Sequence, residues 1–255
     1  MNSKKERYKR TMLDLAKNED LVSGIYNYCD RWCERCTKTR KCLTYLHEQE
    51  MKEGADAQNS DDENQHFWEQ IRLAWEVTME LIEEDADRLG IDLNNVPEIE
   101  LPEHIETPLE VRAKDYGFKM HDWLEKNREY IAEKAEQLVM IADEALIVKY
   151  KDALEVLQWY YFFIGTKVHR AHLDLEERQN DPEDEYSVYS DNLGSAKIAI
   201  IAIERSMDAL SVFYDDFKER EDDILGFLAE LSSLKKQLLK TFPGVMDFKR
   251  PGFDD

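Results

Sequence analysis

A chain of 255 residues with 42% apolar and 11% aromatic side chains can bury one large core or two small ones. Nine glycines and six prolines are few for this length, and period-two alternation is nearly absent, which excludes a sheet-rich fold and predicts an all-α multi-helix bundle. The formal charge of −22 opposes nucleic acid and anionic membrane surfaces as partners.

The first twenty residues lack the apolar stretch of a signal peptide, and no later run approaches the roughly 18 apolar residues that span a bilayer, so a cytoplasmic protein is expected. The charge is uneven: residues 1–42 hold eleven Lys/Arg against six Asp/Glu. Three parts are expected: a basic cysteine-rich metal-binding module over 1–53, an acidic helical bundle over 63–241, and a C-terminal tail over 242–255.

In chain order, Tyr8, Met12 and Leu15 at i, i+4, i+7 predict a short docking helix within 4–18. A second helix is expected from Asp20 through Leu21, Ile25 and Tyr28. Its continuation would put Cys29, Cys33 and Cys36 on one face, with Cys42 returning from the basic turn TKTRK. Lys41 to Met51 reads as helix, and the acidic stretch 54–64 as an exposed linker.

Phe67, Ile71, Ala74, Trp75, Thr78 and Ile82 predict an amphipathic helix stopped by Gly90. Pro97 and Pro102 mark a long irregular connection, and Pro108 opens the next helix at its first position. The helical region 110–178 is too long for one helix in a compact domain, so a break is expected between Asp143 and Lys151. A turn near 180–185, helices over 192–216 and 222–241, and the tail complete the chain.

All four cysteines, Cys29, Cys33, Cys36 and Cys42, fall within fourteen positions, spaced C-x3-C-x2-C-x5-C. Such clustering, without a secretion signal, reads as a metal site. Thiolates take Zn²⁺ or an iron–sulfur cluster, and four complete either centre. Structural Zn²⁺ is the first expectation and an iron–sulfur cluster the second. The cations Arg31, Arg35, Lys38, Arg40 and Lys41 offset the charge of a tetrathiolate. His47 is a spare ligand that four thiols do not require.

Cys29, Cys33 and Cys36 resemble the cluster motif of radical S-adenosylmethionine enzymes over residues 29–36. The fourth cysteine, the scarcity of glycine and the lack of alternating β/α pattern set this chain apart from that family.

Two segments are apolar nearly all round, Trp159 to Ile164 and Ile198 to Ile203, and should pair antiparallel at the bundle centre, with Gly165, Gly194, Ala199 and Ala202 at the contact. That pairing would gather His169, His172, Lys197 and Glu204, either as a salt-bridge network or as a catalytic or metal site. The single Glu-x-x-His, Glu63 to His66, has no second copy, so the di-iron bundle pattern is excluded. Phosphate loops, dinucleotide fingerprints and nucleophile elbows are missing as well. The expected function is a metal-binding interaction or scaffold protein with a protein partner. The alternative is an iron–sulfur redox protein or a metalloenzyme using the bundle site.

Overall fold

The structure, a computed structural model, describes residues 2–52, 60–95, 104–140, 144–180 and 192–254. Among these, every regular element is helical, as the composition requires, and no helix is long and apolar enough to cross a membrane. Most of the expected 54–64 linker, Pro97, Pro102, the turn at 181–185 and the side chains of Glu63 and His66 lie outside the described residues. The chain divides into two compact units, residues 1–26, 31–103 and 251–255 in one and 27–30 with 104–250 in the other.

The first unit holds α1 (Asn2–Ala16), α2 (Leu43–Lys52) and α3 (Ser60–Leu89). α3 turns a different face inward from the one its large apolar residues predict: Leu73 and Val77 are buried, whereas Phe67, Ile71, Trp75 and Ile82 are exposed. Ion pairs accompany the inward face. Glu80 and Glu84 continue the Leu73–Val77 face at helical spacing, and Lys9 of α1 pairs with both at 2.7 Å while Lys5 joins it on Glu80. These contacts tie α3 to α1, which is why the cysteine segment shares its unit with a helix expected in the bundle.

The second unit is built on α4 (Pro108–Lys126), α5 (Arg128–Met140), α6 (Glu144–Asn180), α7 (Asn192–Asp216) and α8 (Glu221–Thr241). Its centre is the α6–α7 pair. Tyr150 packs on Phe213 and Phe217, and Tyr160 sits beside Arg205, so the two helices run antiparallel as expected. α4 lies on α6, and α8 lies on α7 and α4. Arg112 donating to Glu230 at 2.9 Å and Trp123 Nε1 donating to Asp223 at 3.1 Å fix the α4–α8 contact.

Three expectations are corrected here. First, α6 and α7 are not equally buried. Ile198, Ala199, Ile200, Ala202 and Ile203 of α7 are in the core, but on α6 only Tyr160 and Ile164 of the aromatic run are, with Phe162 43% exposed. Second, Gly165 serves α4, not α7. A Cβ there would lie 3.3 Å from the Lys114 Cα, and one on Gly117 would lie 2.7 Å from the Tyr161 carbonyl oxygen, so these glycines permit the close α4–α6 crossing. Third, the long helical region breaks at Asn127, while α6 runs unbroken through residues 144–151, within the span where the break is expected. Asn127 Oδ1 accepts from Arg220 Nε at 2.6 Å, which holds the α4–α5 corner. In the C-terminal stretch, Phe242 and Val245 are buried.

Candidate functional site

The sequence Thr107-Pro108-Leu109-Glu110 starts α4 with a reciprocal cap. The Thr107 hydroxyl accepts from the Glu110 amide at 3.3 Å, and Glu110 Oε2 accepts from the Thr107 amide at 2.7 Å. That bond occupies one carboxylate oxygen and directs the other, Oε1, at two imidazoles. His104 Nε2, from the chain just before the cap, and His169 Nδ1, from α6, each lie 2.7 Å from Glu110 Oε1. The two rings meet edge to face at 4.9 Å. Three ligand-type atoms from three parts of the unit thus fall within 4.8 Å of one another, the one such group among the described residues.

The Glu110 side chain is 1% exposed and that of His169 44%. Burial pushes the Glu110 carboxyl up, but the hydrogen bonds from Thr107, His169 and His104 together outweigh it and hold the group down at about 2. Glu110 is therefore a fixed anion at neutral pH. Beside it lies a cleft of about 410 Å³ where α4 crosses α6, lined by Glu110 and His169, by Phe118, Tyr161 and Phe162, and by Lys114 and Thr166 at the polar end. The arrangement offers a buried anion, an accessible imidazole and an aromatic wall in one place.

Of the four bundle residues singled out in sequence, only His169 reaches this site. His172 is buried, bonds Val168 O through Nδ1 at 2.8 Å and meets the Phe242 ring. Lys197 donates to Phe248 O at 2.6 Å and Met246 O at 3.4 Å, so it holds the C-terminal segment in place. Glu204 pairs with Lys235 of α8 at 2.6 Å, not with Lys197 or Arg205. The antiparallel register brings these groups to one region, but each is turned to a separate backbone or charge partner.

The cysteine segment is not the continuous helix that would align three thiols. Gly24 and Arg31 both have positive φ, 68° and 60°, and a left-handed residue ends α-helical continuity. Between them and Cys42 the chain makes 3₁₀ turns at Ile25–Asn27, Cys33–Arg35 and Thr39–Lys41. Val22 N–H donates to Lys41 O at 3.0 Å, closing the stretch at its base. The Lys38 amide donates to Cys36 Sγ at 3.3 Å. Arg35 stacks on Trp32 at 3.8 Å, and Arg31 stands over Tyr26.

No disulfide joins the cysteines. Cys33, Cys36 and Cys42 belong to the first unit and do not bring their three sulfurs within 4.8 Å of one another; Cys29 belongs to the second. There Asp30, the residue after Cys29, is held by the bundle: its Oδ2 accepts from Tyr160 and Arg205 at 2.6 Å each, and its carbonyl from Trp159 at 2.9 Å. Burial, reinforced by the Asp30 carboxylate, pushes the Tyr160 phenol up, so it stays a donor. His47, the spare ligand, instead bonds Tyr8 through Nε2 at 2.8 Å.

Sequence reasoning missed Glu110 and His104. The pattern Thr107-x-x-Glu110 ahead of an apolar run marks a capping box and could have flagged Glu110, but nothing local connects it to an imidazole 59 residues later. Comparison with protein-family models, curated proteins and solved structures finds no match for this chain.

Proposed function

We propose that the protein is a metal-binding helical protein in which Cys29, Cys33, Cys36 and Cys42 hold one metal centre, and that it acts in the cytoplasm as an interaction or scaffold protein. The observation carrying this reading is the concentration of all the cysteines of the chain in fourteen positions. The cations flanking the thiols, Arg35 stacked on Trp32 among them, support it by offsetting the charge of a tetrathiolate centre. Metal binding draws the thiols together, so the segment takes its final form only with metal, as in other small metal-dependent folds. The ordered segment is then the surface a protein partner reads.

Structural Zn²⁺ is the first assignment, because four thiolates complete its tetrahedral shell and need no further chemistry. The iron–sulfur centre is the alternative, since four thiolates complete it as well.

Elemental analysis with an absorption spectrum, on protein purified without oxygen or chelator, tests the proposal beside a Cys29→Ala, Cys33→Ala variant. One colourless zinc per chain, lost in the variant, supports the zinc centre, and iron with visible absorption supports the cluster. Metal content near zero in the reduced, folded wild type sinks both.

A further inference from the structure

The cysteine segment leaves the Glu110 cluster unexplained. We infer that His104, Glu110 and His169 form a second, independent site for one divalent transition cation of the zinc class, with its open coordination positions toward the α4–α6 cleft.

Two imidazoles and one carboxylate are a donor set that binds Zn²⁺ with a position left for water or substrate, and Fe²⁺ in related arrangements. The three atoms already converge. With metal–ligand bonds of about 2.0–2.1 Å, tetrahedral neighbours stand about 3.3 Å apart, so the present 2.7 Å contacts need to open by only about 0.6 Å. Because the Thr107 amide occupies Glu110 Oε2, the carboxylate is oriented with Oε1 as the ligand, which is the second-layer support that metal ligands require.

Charge agrees. The first turn of α4 opposes a cation by about half an elementary charge, and the full charge of buried Glu110 exceeds it, while Glu106 and Lys114 on the cleft wall pair with each other at 3.3 Å. Entry is through the cleft, where His169 is 44% exposed. The aromatic side of the same cleft, Phe118, Tyr161 and Phe162, would place an apolar group of a small ligand beside the metal's open positions.

The test uses the full chain with Cys29, Cys33, Cys36 and Cys42 all changed to Ser, so that failure of the cysteine centre cannot decide it. Co²⁺ is titrated by absorption and Zn²⁺ by calorimetry. The expected result is one equivalent bound, with cobalt ligand-field bands and no thiolate charge-transfer band, and an affinity at least about 10-fold lower in added His104→Ala or His169→Ala. A folded serine variant that binds neither ion, or binds equally with His169→Ala, overturns the site as a plain ion-pair cluster. Should the serine variant not fold, the wild type decides by NMR: Zn²⁺ added from zero to two equivalents shifts the ring signals of His104 and His169 but not His172. Unmoved His104 and His169 signals overturn the proposal equally.

Discussion

The Glu110 cluster and the cysteine segment both carry metal-binding side chains, and they are held in opposite ways. Glu110, His104 and His169 come from parts of the chain up to 65 residues apart, yet α4 and α6 fix them through a helix cap and a glycine-mediated crossing. The cysteines lie within fourteen residues of each other on 3₁₀ turns flanked by left-handed Gly24 and Arg31. Preorganisation thus follows from helices that bury apolar surface, not from closeness in sequence. A ligand set on packed helices exists before its ligand arrives, whereas one on turns is completed by it.

The largest way to break this comparison is to loosen the helices. Ile203→Ala removes fully buried apolar volume from α7 and should cost about 2–5 kcal/mol in denaturant unfolding. The four-Ser variant should move the same bundle transition by no more than about 0.5 kcal/mol. Equal losses would mean that the cysteine segment is built into the core.

Acid attacks the Glu110 cluster, as it does the Glu80 pairs of α3 with α1. The Glu110 carboxyl titrates at about 2 when folded and near 4.5 when unfolded, so its contribution is full above 4.5 and is lost as pH falls from there to about 2. The loss should be on the order of 2–3 kcal/mol, measured as unfolding free energy against pH, and Glu110→Gln should flatten that part of the profile.

Gly117→Ala sets a Cβ 2.7 Å from the Tyr161 carbonyl oxygen, so the helices must part. A loss of about 1–3 kcal/mol is expected, with weaker metal binding at His169 because the α4–α6 spacing sets the distance to Glu110. Thr107→Ala removes only the hydroxyl half of the cap and should cost about 1 kcal/mol while leaving the Thr107 amide on Glu110 Oε2. Thermal unfolding of the two variants together separates helix spacing from helix capping.

How much of this was legible in the sequence varied with the origin of the signal. α7 was readable because Ile198 to Ile203 are apolar on all sides and are buried on nearly all of them. α6 was misread because Phe162 belongs to a cleft wall, and hydrophobicity does not distinguish a core residue from one lining an open site. The inward face of α3 is the Leu73–Val77 one, which continues into Glu80 and Glu84 paired with Lys5 and Lys9 of α1, and the pattern of large apolar residues does not mark it. For the site, His169 was visible as a polar group on an apolar helix, but its partner was not: Glu204 looked equally suitable, and only the α4–α6 crossing selects Glu110. The cysteine spacing was plain, whereas its backbone turned on Arg31 at positive φ, a conformation no sequence pattern of arginine announces.

The central claim is that metal completes the cysteine segment and leaves the bundle as it is. Amide hydrogen exchange on metal-loaded and chelator-treated protein carrying His104→Ala and His169→Ala, in which only the cysteine segment can take metal, tests it most directly. The account predicts that protection over residues 27–42 rises on loading, while the core amides of α7 and α8 exchange alike in both states. Identical protection over 27–42 with and without metal would contradict it.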